Sequence, residues 1–147
     1  MKKQKTNEIV INMESRSGNE RFARMCAAAY VSALDPTVEE LTDIKTVISE
    51  AVTNAVVHAY GDSLGTIRLK FEMVGVHTVR VTVKDYGVGI SDVEQAMQPC
   101  FTTGSEDRSG MGFTIKQSYS DRLRVRSRPG KGTSVVFEKR IKVKNER

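Results

Sequence analysis

A chain of 147 residues with 39% hydrophobic and 28% charged side chains is long enough for one domain with a real core, and its composition is not that of a disordered polymer. Its formal net charge of +5 is modest and lies partly in the basic run from Lys139 to Arg147; no aromatic-interleaved basic stripe accompanies it, which argues against direct nucleic-acid binding. Cys26 and Cys100 stand far apart and make neither a zinc spacing nor a disulfide framework, and no apolar stretch approaches a membrane span or a signal core. The expectation is a soluble, cytoplasmic protein, with residues 1–147 forming a single domain.

In chain order, residues 8–13 read as a strand through Ile9, Val10, Ile11 and Met13. Residues 20–34 carry Phe22, Met25, Cys26, Ala29 and Ala33 at helical spacing, and Asp35-Pro36 ends that helix. Thr37 and Glu40 form the pattern of a capping box, which opens a second helix predicted over 38–58. Gly61 is placed to end it in the left-handed region. Residues 66–74 and 77–84 alternate apolar and polar and should make a hairpin. From Asp85 to Gly112 the periodicity is lost among glycines, serines and charges. A short helix is expected over 111–119, then strands over 122–127 and 133–142 joined by a Pro129-Gly130 turn. This order predicts an α/β two-layer sandwich with a mixed or antiparallel sheet covered by helices on one face.

The second helix closes on Glu50-Ala51-Val52-Thr53-Asn54-Ala55-Val56-Val57-His58. Glu50, Asn54 and His58 recur every four residues and share one side. A carboxylate there can take a proton from a hydroxyl, and a carboxamide oxygen can sit on a hard cation such as Mg²⁺. Hydrogen bonding on a helix surface is the competing reading of the segment taken alone.

Asp85-Tyr86-Gly87-Val88-Gly89 follows a strand directly. Gly87 and Gly89 allow a sharp turn or a close backbone approach, and Asp85 can accept a hydrogen bond from an exocyclic amine such as that of adenine; an ordinary Asp/Gly turn fits the same residues. Ser109-Gly110-Met111-Gly112-Phe113 opens the next helix, where free backbone N–H groups can face an anion, with Arg108 in reach of a terminal phosphate. Thr102-Thr103-Gly104-Ser105 has the hydroxyls and hinge of a mobile lid. Gly130-Lys131-Gly132-Thr133 lacks the spacing of a Walker A loop and leads into a strand. It reads as a tight turn, with Thr133 a further contact to a base.

Taken in order, these motifs resemble the ATP-binding fold shared by gyrase, a heat-shock chaperone, histidine kinases and the MutL repair protein. Glu50 and Asn54 match its first motif, Asp85, Gly87 and Gly89 its second, and Gly110 and Gly112 its third. The resemblance implies adenine held by Asp85, Mg²⁺ held through Asn54, and phosphates near Thr102, Thr103 and the residues Ser109, Gly110, Met111 and Gly112.

Phe22-Ala23-Arg24, Leu34-Asp35-Pro36-Thr37, Ser49 to Ala55, Phe101-Thr102-Thr103 and Arg108 to Thr114 together are similar to the anti-sigma F factors of endospore formers, which are small serine kinases. That resemblance implies binding and inhibition of a sporulation sigma factor, phosphorylation of a serine on an anti-anti-sigma protein with Mg·ATP, alternation between ATP and ADP states, and a homodimer. By position Glu50 would be the base, Asn54 the Mg²⁺ ligand, Arg108 the γ-phosphate contact and Arg24 part of the partner-binding face. Gly104-Ser105 depart from the Lys-Pro that relatives often carry after the two threonines, which bears on the lid. The rival readings are an anti-sigma kinase of the general stress response and a sigma-binding module that transfers nothing.

Overall fold

The computed structural model describes residues 7–88 and 119–146. Its elements are strand β1 (Ile9–Glu14), helix α1 (Asn19–Val31) with a 3-10 turn over Ser32–Leu34, helix α2 (Val38–Asn54) continued by a π turn over Ala55–Ala59, strands β2 (Thr66–Met73), β3 (Thr78–Asp85), β4 (Arg122–Arg128) and β5 (Gly132–Arg140), and a 3-10 turn over Lys144–Glu146. The described strands form one antiparallel sheet in the order β1-β2-β3-β5-β4. The helix expected over 111–119 lies almost wholly outside the described residues.

Alternation decides which face of each strand meets the helices. Ile67, Leu69 and Phe71 of β2, Val79, Val81 and Val83 of β3, and Val135 and Phe137 of β5 are buried. They join Ala23, Ala27 and Val31 of α1 and Ile44, Val47, Ile48, Ala51 and Val52 of α2 in one core. Each fully buried branched or aromatic side chain there contributes about 1.5–3 kcal/mol. The alanines of α1 let it lie close against α2. This is the two-layer α/β sandwich with both described helices on one face.

The capping box is present. Glu40 N–H donates to Thr37 Oγ1 at 3.1 Å, and Thr37 N–H donates back to Glu40 Oε1 at 2.9 Å. The second Glu40 oxygen accepts from Lys142 N–H at 2.8 Å, so a buried carboxylate both starts α2 and ties down the segment after β5. Asp35 at φ 52° and Gly61 at φ 58° take the left-handed turns that end α1 and α2. The last turn expected of α2 is wound as a π turn, which contacts β3 and β5.

Candidate functional site

Asp85 is the last residue of β3 and its alternation aims it inward, where it is 3% exposed. Buried carboxylates need donors, and two backbone groups supply them. Gly87 N–H and Thr133 N–H both donate to Oδ1, at 3.0 and 3.1 Å. Burial pushes the Asp85 carboxyl up from its ordinary range, while these two bonds pull it down. Among the described residues the side chain is held by these two backbone donors. A shallow hollow beside it includes Asp85, Ser127, Lys131 and Thr133.

Two glycines let the backbone come this close. A Cβ on Gly87 would lie 2.3 Å from the Ala59 carbonyl oxygen. A Cβ on Gly132, at φ 94°, would lie 2.2 Å from the Asp85 carbonyl oxygen. Val88 N–H donates to that same Ala59 oxygen at 3.1 Å, and Gly130 N–H donates to the Val88 oxygen at 2.7 Å. The turn after β3 is thus clamped between the π turn of α2 and the start of β5.

This clamp joins the first two motifs. Asn54, the last residue of α2, is 4% exposed, and Glu50 one turn earlier is half-buried. Burial pushes the Glu50 carboxyl up from its usual value, and it has no hydrogen-bond or ion-pair partner among the described residues. A carboxylate left free in a partly dry setting suits a proton acceptor. A buried carboxamide oxygen beside it suits a hard cation, which is the chemistry Mg²⁺ requires.

Arg24 reaches along α1 to Glu20, Nε to Oε1 at 2.8 Å. Glu20 also accepts the hydroxyl of Ser49, the residue before Glu50. Arg24 therefore stands half-exposed next to the helix that carries Glu50, and exposed Phe22 and Met25 flank it. Gly89, Thr102, Thr103, Arg108, Ser109, Gly110, Met111 and Gly112 lie outside the described residues.

Sequence reasoning missed Tyr60. Its hydroxyl accepts from Tyr86 N–H and donates to the Thr66 carbonyl, both at 2.7 Å, and its ring fills the space where Gly65 has no side chain. It pins the Asp85 turn to the start of β2. No local pattern could reveal this, because its partners lie 6 and 26 residues away. Thr133 holds Asp85 through its backbone, and its hydroxyl pairs with Ser127 Oγ at 2.8 Å. The Gly130–Thr133 turn is accordingly part of the site's frame.

A family model described as a histidine kinase-like ATPase domain matches residues 13–139. The chain is 50% identical over 137 residues to an anti-sigma F factor of Thermoanaerobacter sp. (strain X514), covering 92% of this chain and 95% of that protein. It is 54% identical over 140 residues to an anti-sigma F factor of Pasteuria penetrans, covering 93% of each. The RsbU and RsbW domains of a Mycobacterium tuberculosis protein superpose with a TM-score of 0.65 at 22% identity, over 92% of this chain and 33% of that one. The catalytic domain of the histidine kinase ThkA superposes with a TM-score of 0.53 at 20% identity, over 92% of this chain and 98% of that one. At these identities the two structures speak to the fold.

Proposed function

Because the chain belongs to the anti-sigma F factor family within the histidine kinase-like ATPases, we propose that it binds and inhibits a sporulation sigma factor and uses Mg·ATP to phosphorylate a serine of its anti-anti-sigma protein. The observation that carries this reading is Asp85. A buried carboxylate locked by Gly87 and Thr133 N–H groups at the end of a strand is a fixed acceptor for the amine of adenine. Asp85 and Gly87 orient the base, and Gly89 belongs to the same motif. Asn54 would hold Mg²⁺ through its carboxamide oxygen. When bound, Mg²⁺ neutralises the charge of the phosphates.

Glu50 supplies the base. It takes the proton of the substrate serine as the serine oxygen bonds to the γ-phosphorus and the bond to the ADP oxygen breaks. Arg108 and the residues Thr102, Thr103 and Ser109 to Gly112 would hold the phosphates. Exposed Phe22 and Met25 beside Arg24 offer an apolar, basic face for a protein partner, and the family resemblance implies that Arg24 belongs to the partner-binding face. The protein acts in the cytoplasm as a homodimer in this reading.

The test is transfer of radiolabelled γ-phosphate from ATP to a cognate anti-anti-sigma protein, with wild type and Glu50→Gln compared. Wild type should label serine, and the variant should bind nucleotide normally and lose at least about 100-fold in rate, the scale of general-base catalysis. Equal labelling by both removes Glu50 from the mechanism. No labelling by wild type with intact ATP binding leaves a sigma-binding module without kinase activity.

A further inference from the structure

The face of the sheet turned away from the helices carries a second, unrelated pattern. On β4 the outward positions are Arg122, Arg124, Arg126 and Arg128, all exposed. They recur at about 6.8 Å, two residues of strand rise, and make no ion pair among the described residues. Further across the sheet the charges are of both signs, and several are paired. Arg80 pairs with Glu72 at 3.0 Å and with Glu138 at 3.1 Å, and Lys70 pairs with Glu72 at 3.1 Å. A hollow on this face includes Arg122, Arg124 and Arg126 together with Thr82, Ser134 and Val136.

Protection of an edge strand explains charges on an edge, but it does not explain four of one sign in a row. The opposite edge, β1, exposes Ile9 and Val10, each 39%. Nucleic acid fits less well. None of the outward residues of the five strands is aromatic, so no base can stack there, and Lys84 Nζ lies 5.0 Å from the ring centroid of Tyr86 at the margin. The carboxylates of Glu72 and Glu138 also lie within the same hollow. A row of like charges at strand spacing, on a strand with a partner on one side only among the described residues, is complementary to another strand. Opposite charges in directly facing positions stabilise such pairs.

We propose that the outer face along β4 docks an extended acidic segment of a protein partner. Its carboxylates, at every second position, meet the four arginines, and its backbone continues the sheet at the β4 edge. The surface adjoins the Asp85 site: Arg126 and Arg128 also line the hollow beside Asp85, while the Asp85 side chain itself is buried on the inner face.

The probe is a fluorescein-labelled decapeptide of alternating Glu and Thr, titrated onto the full chain at two salt concentrations. Controls are a decapeptide of the same composition with its glutamates in one block, and a ten-nucleotide single strand of thymidine. The alternating peptide should bind most tightly and weaken with salt. Arg124→Glu/Arg126→Glu should reduce its affinity at least about tenfold, because it sets like charges against like. Arg124→Gln/Arg126→Gln should give a smaller loss and serves if the reversed variant fails to fold. Failure to bind, or unchanged binding by both variants, overturns the proposal. Tighter binding of the oligonucleotide makes this a phosphate surface, and equal binding of the block peptide removes the strand register; either result refutes it. A changed sedimentation coefficient of the variants without peptide binding assigns the face to a second copy and refutes it too.

Discussion

Gly87→Ala tests the clamp that joins the two motifs. The added methyl would sit 2.3 Å from the Ala59 carbonyl oxygen and 2.6 Å from the Ala59 carbonyl carbon and Cβ. Ordinary contact begins near 3.4 Å, so backbone must separate from backbone by about 1 Å; overpacking of this kind costs about 1–3 kcal/mol. The separation also breaks the bond from Val88 N–H to Ala59, 3.1 Å long, which adds about 0.5–1.5 kcal/mol. The sum is about 2–4 kcal/mol, or roughly 5–15 °C in Tm for a domain of this size. Thermal unfolding followed by circular dichroism reads it, with Gly75→Ala as the control. A Cβ at Gly75 meets only Thr78, at 3.8 Å, so that variant should melt near wild type. If Gly87→Ala melts within a degree or two of Gly75→Ala, the close approach of the Asp85 turn to the π turn does not exist.

Asp85→Asn should weaken ATP binding about 10- to 150-fold, the loss of a hydrogen bond to a charged acceptor, measured by calorimetry. The Asp85 carboxyl is raised on folding, so its ionisation costs stability as pH rises from its unfolded value through its folded one. The same Asn variant, whose carbonyl can still accept from Gly87 and Thr133, should therefore be at least as stable as wild type at neutral pH; a lower Tm contradicts this. Tyr60→Phe strands Tyr86 N–H and the Thr66 carbonyl and should cost about 1–3 kcal/mol in urea unfolding. Glu50 must be ionised to accept a proton, and burial raises its carboxyl. Phosphoryl transfer should therefore fall, as pH is lowered, above the ordinary glutamate range, and an acid limb at or below that range refutes the assignment.

Much of the scaffold was legible from local pattern. Alternation through Ile67–Met73 and Val79–Val83 marks the hairpin because the pleat forces it, and Thr37 with Glu40 marks the start of α2 because both orphan N–H groups need acceptors. Asp85 and Gly87 were legible as a motif. What was hidden is what the fold assembles from distant segments. Gly132 read as a turn residue, yet its missing side chain admits the Asp85 carbonyl, 47 positions earlier in the chain. The π turn was hidden too: the helical spacing of the apolar residues runs on through Ala55 and Ala59, and the turn lies where the Asp85 loop docks on Ala59. The hairpins were readable, but nothing local says that β5 pairs with β3 as well as with β4.

That strand order has a temporal side. A ribosome releases β4 before β5, yet β5 occupies the place between β3 and β4. Until β5 emerges, the nascent chain holds β3 with one hydrogen-bonding edge open and Val79, Val81 and Val83 along it. The donors that lock Asp85 are also incomplete, since Thr133 belongs to β5. The locked arrangement of Asp85 therefore arrives with the strand that closes the sheet. A partly synthesised chain exposes a sticky valine edge and leaves Asp85 without the donor that Thr133 supplies.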